Sequence, residues 1–359
     1  MKFTYLIGNG FDLNIGLKTS FMNFFDVYCN KGEQDDKAIE KFKKEICKNT
    51  FMWSDFETQM GKYAHEVEPL GALSVQDYFK CMEDFRNKLV TYLLQEEGRI
   101  DSFVFMNKCD TVCHRAIEYP FQYMRPSQRV SLQNYLSKYN AESIEYNFII
   151  FNYTHTFEEF LSPLGYNVIG ENDNGPQHWI DSDEDSLILD KIGKVIHVHG
   201  ELGNAILLGV NDEQQVDNPD IIRDDEFRYN YIKPIANEAL GERQTEISKQ
   251  VIKESDIIFI YGMSIGQTDK IWWQTIMEWL GDENEFREHF LVVFSHDPKL
   301  SRNSPLDNIW NQKQIENKLF SFTMDDTIKT KRENIIKRIF CSLNSDIFKL
   351  DFDPFSSDC

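Results

Sequence analysis

Five runs of apolar residues constrain this chain more than any other feature: Phe3–Ile7, Asn147–Tyr153, Lys194–Val198, Ile257–Tyr261 and Phe290–Ser295. They are rich in Ile, Val and Phe and lack the polar alternation of a half-exposed strand. That pattern predicts strands buried on both faces, as in a parallel sheet covered by helices. The spacing between runs leaves room for helical crossovers. A sixth, shorter run, Ala205–Val210, follows the turn-like Glu201-Leu202-Gly203-Asn204 and predicts a hairpin or a strand added at a sheet edge.

Residues 8 to 146 exceed what one crossover needs. Phe42–Cys47, Phe56–Tyr63, Tyr78–Leu94 and Val130–Leu136 carry apolar residues three to four apart, the helical period. The expected fold is therefore α/β, a Rossmann-like, mostly parallel sheet flanked by helices, with a large helical insertion between the first and second strands. The expected division is a sheet-bearing core at 1–20 and 141–350, an insertion at 21–140 and a tail at 351–359. Glu171–Asp185 and Asp297–Pro305 read as exposed polar loops, and Ile335, Ile336, Ile339 and Phe340 as one face of a last amphipathic helix.

Composition sets limits on partners. With 38 Lys+Arg against 59 Asp+Glu the formal charge is −21, which opposes binding to a phosphate backbone, and no dense basic patch offsets it. No stretch approaches the ~20 apolar residues of a membrane span, and the apolar start is too short for a signal peptide. The seven cysteines are odd in number and lack framework spacing, so reduced thiols and a cytoplasmic location are expected. Cys109 and Cys113 with His114 do not complete a zinc site, and no metal is expected.

Chemistry-bearing residues gather where the apolar runs end. Gly8-Asn9-Gly10-Phe11-Asp12 follows the first run, with Gly16 further on; glycines there admit a pyrophosphate against helix-start amides, or simply make a tight turn. Asn152 closes the second run, where an Asn holds a ribose hydroxyl or a water, or ties down the loop. Thr156 and Glu159 have the spacing of a capping box. His197-Val198-His199-Gly200 closes the third run. His199 is suited to a general base with a pKa near neutral, or is a hydrogen-bonded structural residue as a single strand histidine more often is; His197 is read as structural. Gly262, Ser264 and Asp269 follow the fourth run, suited to a ribose, a phosphate or a helix cap, and Trp272 and Trp279 to packing.

Together these segments resemble the AbiH family of bacterial phage abortive-infection proteins. The resemblance rests on Ile7-Gly8-Asn9-Gly10-Phe11-Asp12 with Gly16-Leu17-Lys18-Thr19-Ser20-Phe21, and on Trp53-Ser54-Asp55-Phe56-Glu57. It extends through Asn152-Tyr153-Thr154, Thr156-Phe157-Glu158, His197, His199-Gly200, Gly262-Met263-Ser264-Ile265-Gly266 and Thr268-Asp269. More distantly the order of motifs is similar to the sirtuin superfamily and its NAD hydrolases of phage defence. That likeness departs at Asn9, Asp12 and Thr154 and at the missing zinc ribbon, which speaks against deacylation.

The resemblance implies binding of NAD or a related nucleotide and hydrolysis of its N-glycosidic bond. Asn152, His199 and Asp12 would be catalytic; Gly8, Asn9, Gly10, Phe11, Gly200, Gly262, Ser264 and Asp269 would hold the nucleotide. Trp53 and Glu57 would close the crevice from the insertion, Trp53 chiefly by packing. The alternatives are a nucleotide sensor without turnover and, less favoured, an RNA nuclease. Expected partners are a small nucleotide and no nucleic acid or membrane; a second copy of the chain or a phage component stays open as trigger.

Overall fold

The computed structural model describes all residues except 31–35, 140–142, 166–176, 180–186, 242, 283–286 and 356–359. Six strands form one sheet: β1 (Lys2–Ile7), β2 (Glu145–Ile150), β5 (Lys191–His197), β6 (Ile257–Tyr261), β7 (Phe290–Ser295) and β8 (Ile339–Leu343). Two short strands, β3 (Gln177–Trp179) and β4 (Leu187–Leu189), pair antiparallel apart from it. All pairings in the large sheet are parallel, in the spatial order β5-β2-β1-β6-β7-β8. Renumbered along the sheet's own strands this is 3-2-1-4-5-6, the Rossmann order, and its switch point lies between β1 and β6.

Helices follow at α1 (Gly10–Asn14), α2 (Phe21–Asn30), α3 (Lys37–Lys48), α4 (Phe56–Tyr63), α5 (Val75–Glu97), α6 (Ser102–Lys108), α7 (Asp110–Ile117), α8 (Pro126–Leu136) and α9 (Thr156–Leu161). Beyond them come α10 (Asp225–Tyr231), α11 (Lys233–Ala239), α12 (Gln244–Glu254), α13 (Lys270–Gly281) and α14 (Pro305–Phe322). Their starts are encoded locally. Ser74 caps α5 through the Asp77 amide, Asp55 caps α4 through the Thr58 amide, and Ser304 caps α14 with Pro305 at its first position.

The chain forms two compact units, one of Met1–Ile15, Ile100–Val198 and Glu246–Cys359, the other of Gly16–Arg99 and His199–Thr245. In the first, alternation along the strands sorts the sheet faces by chemistry. Leu6, Ile149, Ile196, Ile258, Ile260, Leu291 and Val293 join an aliphatic core with α13 residues Trp272, Trp273, Ile276 and Leu280. On the other face Tyr5 stacks on Phe259 at 4.7 Å and on Phe148 at 5.4 Å, and its hydroxyl donates to the Ile117 carbonyl at 2.7 Å. Both faces are dry, which is why the runs are continuous. The second unit has an aromatic core of its own, with Phe56 stacked on Phe85 of α5 at 3.7 Å.

Three expectations are corrected. Ile339 and Phe340 lie in strand β8, beside β7, not on a helix. Ala205–Val210 makes only isolated bridges, Gly200 with Ile206 and Val210 with Ile232, so it is a folded-back loop. Cys29 and Cys47 are joined in a disulfide, because α2 and α3 bring their Cα atoms to 5.8 Å. Cys81, Cys109, Cys113 and Cys341 are free and buried. Of the expected loop Glu171–Asp185, Gln177–Trp179 form β3; its other residues, like the last four of the tail, lie outside the described residues. No helix among the described residues is long and apolar enough to cross a membrane.

Candidate functional site

Two turns meet at the switch point, one after β1 and one after β6. The Gly8 amide donates to the Tyr261 carbonyl and the Gly10 amide to the Gly262 carbonyl, both at 2.9 Å, and the Phe11 amide donates to Gly8 O at 3.0 Å. A Cβ on Gly10 would sit 2.4 Å from Gly262 Cα, and one on Gly8 would sit 2.6 Å from Gly262 O. Gly262 itself has φ +72°. These glycines are therefore required by backbone-to-backbone packing of the two turns. This changes the expected reason for them, since three amides of the presumed phosphate cradle already serve protein carbonyls. Phe11 is fully buried against Phe157 at 5.0 Å and Phe348 at 5.6 Å, so its side chain is core. Asn9 and Asp269 are half-buried and Ser264 is exposed. Asp269 precedes α13 without a side-chain cap, and the Trp273 indole donates to Gly266 O at 3.0 Å, holding that turn on the helix.

At the carboxyl end of β2 a second group forms within the same unit. Asp12, 1% exposed, accepts from the Thr154 hydroxyl at 2.7 Å and the Thr156 hydroxyl at 2.8 Å. Thr156 is thus the first residue of α9, serving Asp12, and the expected capping box with Glu159 does not form; Glu159 instead accepts from Ser102 at 2.7 Å. β2 ends at Ile150, so Asn152 stands two residues past the strand, 3% exposed, with neither Oδ1 nor Nδ2 hydrogen-bonded. Its backbone carbonyl is held by His197 Nδ1 at 2.9 Å, and the opposite ring nitrogen, Nε2, contacts Glu158 Oε1.

The other unit holds His199 and Gly200. His199 is buried, its Nε2 3.4 Å from the ammonium of Lys233, itself buried. Burial and that ammonium push the imidazole well below its ordinary pKa, where a value near neutral was expected. Lys233 Nζ also contacts both Glu57 oxygens, at 2.6 and 2.7 Å. Burial raises the Glu57 carboxyl while Lys233 pulls it back. Gly200 has φ +77°, and a Cβ there would lie 1.9 Å from Ala205 O, so the fold-back of the following loop requires glycine. Trp53 packs among Phe42, Phe56 and Tyr63, the packing role expected of it.

Burial lifts the Cys109 thiol to about 12 and the Cys113 thiol well above its ordinary value, which disfavours the thiolate a metal would need. His114 contacts Glu118 at 3.0 Å. Sequence reading gave His197 a structural role without its partners, and missed the roles of Glu158 and Lys233. Glu158 was visible in the Asn152 segment, but its partner is 39 residues away, and Lys233 is 176 residues from Glu57.

A family model described as "Bacteriophage abortive infection AbiH" matches residues 4–289. Neither the curated proteins nor the solved structures provide a match.

Proposed function

The chain belongs to the AbiH family of bacteriophage abortive-infection proteins, and we propose that it acts by binding NAD or a related nucleotide at the carboxyl end of its parallel sheet and hydrolysing the N-glycosidic bond. The observation that carries this reading is Asn152. A carboxamide 3% exposed and unpaired at both polar atoms is costly, about 1–3 kcal/mol for each buried group left unmade. A sheet of Rossmann order places ligands beyond its strand ends, which is where this amide stands.

In the proposed reaction a water oxygen bonds to the ribose anomeric carbon as the bond to nicotinamide breaks. The bonding pair leaves on the nicotinamide nitrogen and a water proton is released to solvent. Asn152 Oδ1 accepts from the attacking water and Nδ2 donates to a ribose hydroxyl, so the residue acts by positioning. The glycine turns shape the switch point, and the pyrophosphate is not assigned to the engaged amides of Gly8, Gly10 and Phe11.

A second reading, nucleotide sensing without turnover, is favoured by one observation: Thr154 offers no carboxylate beside Asn152, and its hydroxyl is given to Asp12. Incubating purified protein with NAD and measuring released nicotinamide decides between them. Wild-type release that falls ~100-fold or more in Asn152→Ala supports hydrolysis. Calorimetric binding without release supports sensing. An absence of both refutes the nucleotide reading.

A further inference from the structure

The backbone carbonyl of Asn152 is held by a buried pair, His197 and Glu158, whose pairing the sequence did not reveal. His197 and Glu158 have side chains 8% and 6% exposed. His197 Nδ1 lies 2.9 Å from the backbone carbonyl of Asn152, an atom that can only accept, so Nδ1 carries a hydrogen and donates it. Nε2 meets Glu158 Oε1. A carboxyl group there fixes the ring in place, and the proton between the two atoms completes the pair whichever of them holds it. Glu158 is carried by α9, immediately downstream of Asn152, whereas His197 ends β5, the strand paired with β2. The pair therefore ties α9, which follows the Asn152 loop, to β5, the strand beside β2.

We propose that Glu158 and His197 are positioning residues for Asn152: Glu158 orients the imidazole, the imidazole clamps the Asn152 carbonyl, and the clamp aims the carboxamide at the ligand. This rests on the nucleotide reading of Asn152 but is separately testable. Neighbouring residues of the loop are held separately, Phe151 by its amide to the Ile7 carbonyl at 2.8 Å and Thr154 by its hydroxyl to Asp12 at 2.7 Å, and the His197 bond fixes the carbonyl of Asn152 itself. A displacement of about 1 Å at a positioning group is enough to cost ~100-fold in rate.

The experiment compares His197→Phe with His197→Asn in the full chain. The Asn amide nitrogen occupies nearly the place of Nδ1 and retains the donor; Phe retains the ring shape and loses it. His197→Phe is expected to lower nicotinamide release ~10- to 100-fold with KM changed less than about 3-fold, and His197→Asn to recover most of that loss. Glu158→Gln, which can still donate to Nε2 of the same tautomer, is expected to lose less than Glu158→Leu. In parallel, the Asn152 side-chain NH₂ resonances in NMR spectra of the ligand-free protein are expected to shift in His197→Phe and to stay near wild type in His197→Asn. Equal rates in Phe and Asn variants, or NH₂ resonances unmoved by Phe, overturn the positioning role. If wild type neither binds nor cleaves NAD, the nucleotide reading fails while the resonances still decide whether the clamp exists. A folded His197→Phe variant, checked by circular dichroism, is required for either reading; where it fails to fold, the Glu158→Gln and Glu158→Leu pair carries the same comparison.

Discussion

Replacing Asn152 by Leu is expected to make the protein more stable and to abolish its activity. Leu keeps the heavy-atom skeleton of Asn152 and branches at the same carbon, but its two methyl groups are bulkier than the amide oxygen and nitrogen they replace. The substitution removes two polar atoms that are buried and unpaired, together worth roughly 2–6 kcal/mol of unfavourable desolvation. Fitting the bulkier side chain into a packed site subtracts about 1–3 kcal/mol. The expected net gain is ~1–3 kcal/mol, or about 2–4 °C in melting temperature for each kcal/mol in a unit of this size. Urea denaturation followed by tryptophan fluorescence is a suitable assay, since Trp272, Trp273 and Trp279 are buried in the unit that contains Asn152. A variant destabilised by more than about 1 kcal/mol would refute the reasoning, because the amide would then have partners in solution and its exposure to a ligand would lose its warrant. Sites that trade stability for function show the opposite sign from ordinary core positions.

Two further outcomes follow from the same contacts. Lys233→Met leaves the Glu57 carboxyl buried without its cation and is expected to destabilise the second unit by about 3–5 kcal/mol in a urea titration, whereas the double change with Glu57→Leu recovers most of the loss; equal stability of the two variants would show that the pair is not formed. Gly10→Ala places a methyl 2.4 Å from the Gly262 backbone, so a fall in melting temperature of several degrees is expected, and an unchanged melt would contradict the interlocked turns.

The strands that the sequence revealed were those buried on both faces. β1, β6 and β7 match their apolar runs to within a residue because no charge interrupts them, and the polar Thr4 of β1 is paired with the Ser255 hydroxyl at 2.6 Å. β5 begins three residues before the expected Lys194, in a stretch containing Lys191 and Gly193, as an edge strand allows; Lys194 donates to the Asn147 side chain at a register shift against β2. β8 was hidden because Ile335, Ile336, Ile339 and Phe340 fit a helical stripe equally well. Its buried Ser342 is tolerated only because its hydroxyl donates to the Tyr123 carbonyl at 2.6 Å, a partner 219 residues away. The glycines were legible as necessary but not for what, since the atoms that exclude a side chain at Gly8 and Gly10 belong to Gly262. Choosing between His197 and His199 needed their surroundings. One meets a backbone carbonyl and a carboxylate, the other an ammonium, and spacing along the chain carries neither fact.

The central position of β1 has a price during synthesis. Of the strands of this sheet β1 is made first, and it pairs with residues 145–150 on one side and 257–261 on the other. At roughly 5–20 residues per second, its second neighbour arrives some ~13–50 s after it. Until then the edge of β1 that faces β6 stays unpaired even after β2 has joined the other side, so the nascent chain presents a sticky edge early and shields it late. Slow translation or a shortage of holding chaperones should therefore reduce the yield of this protein more than its final stability would suggest.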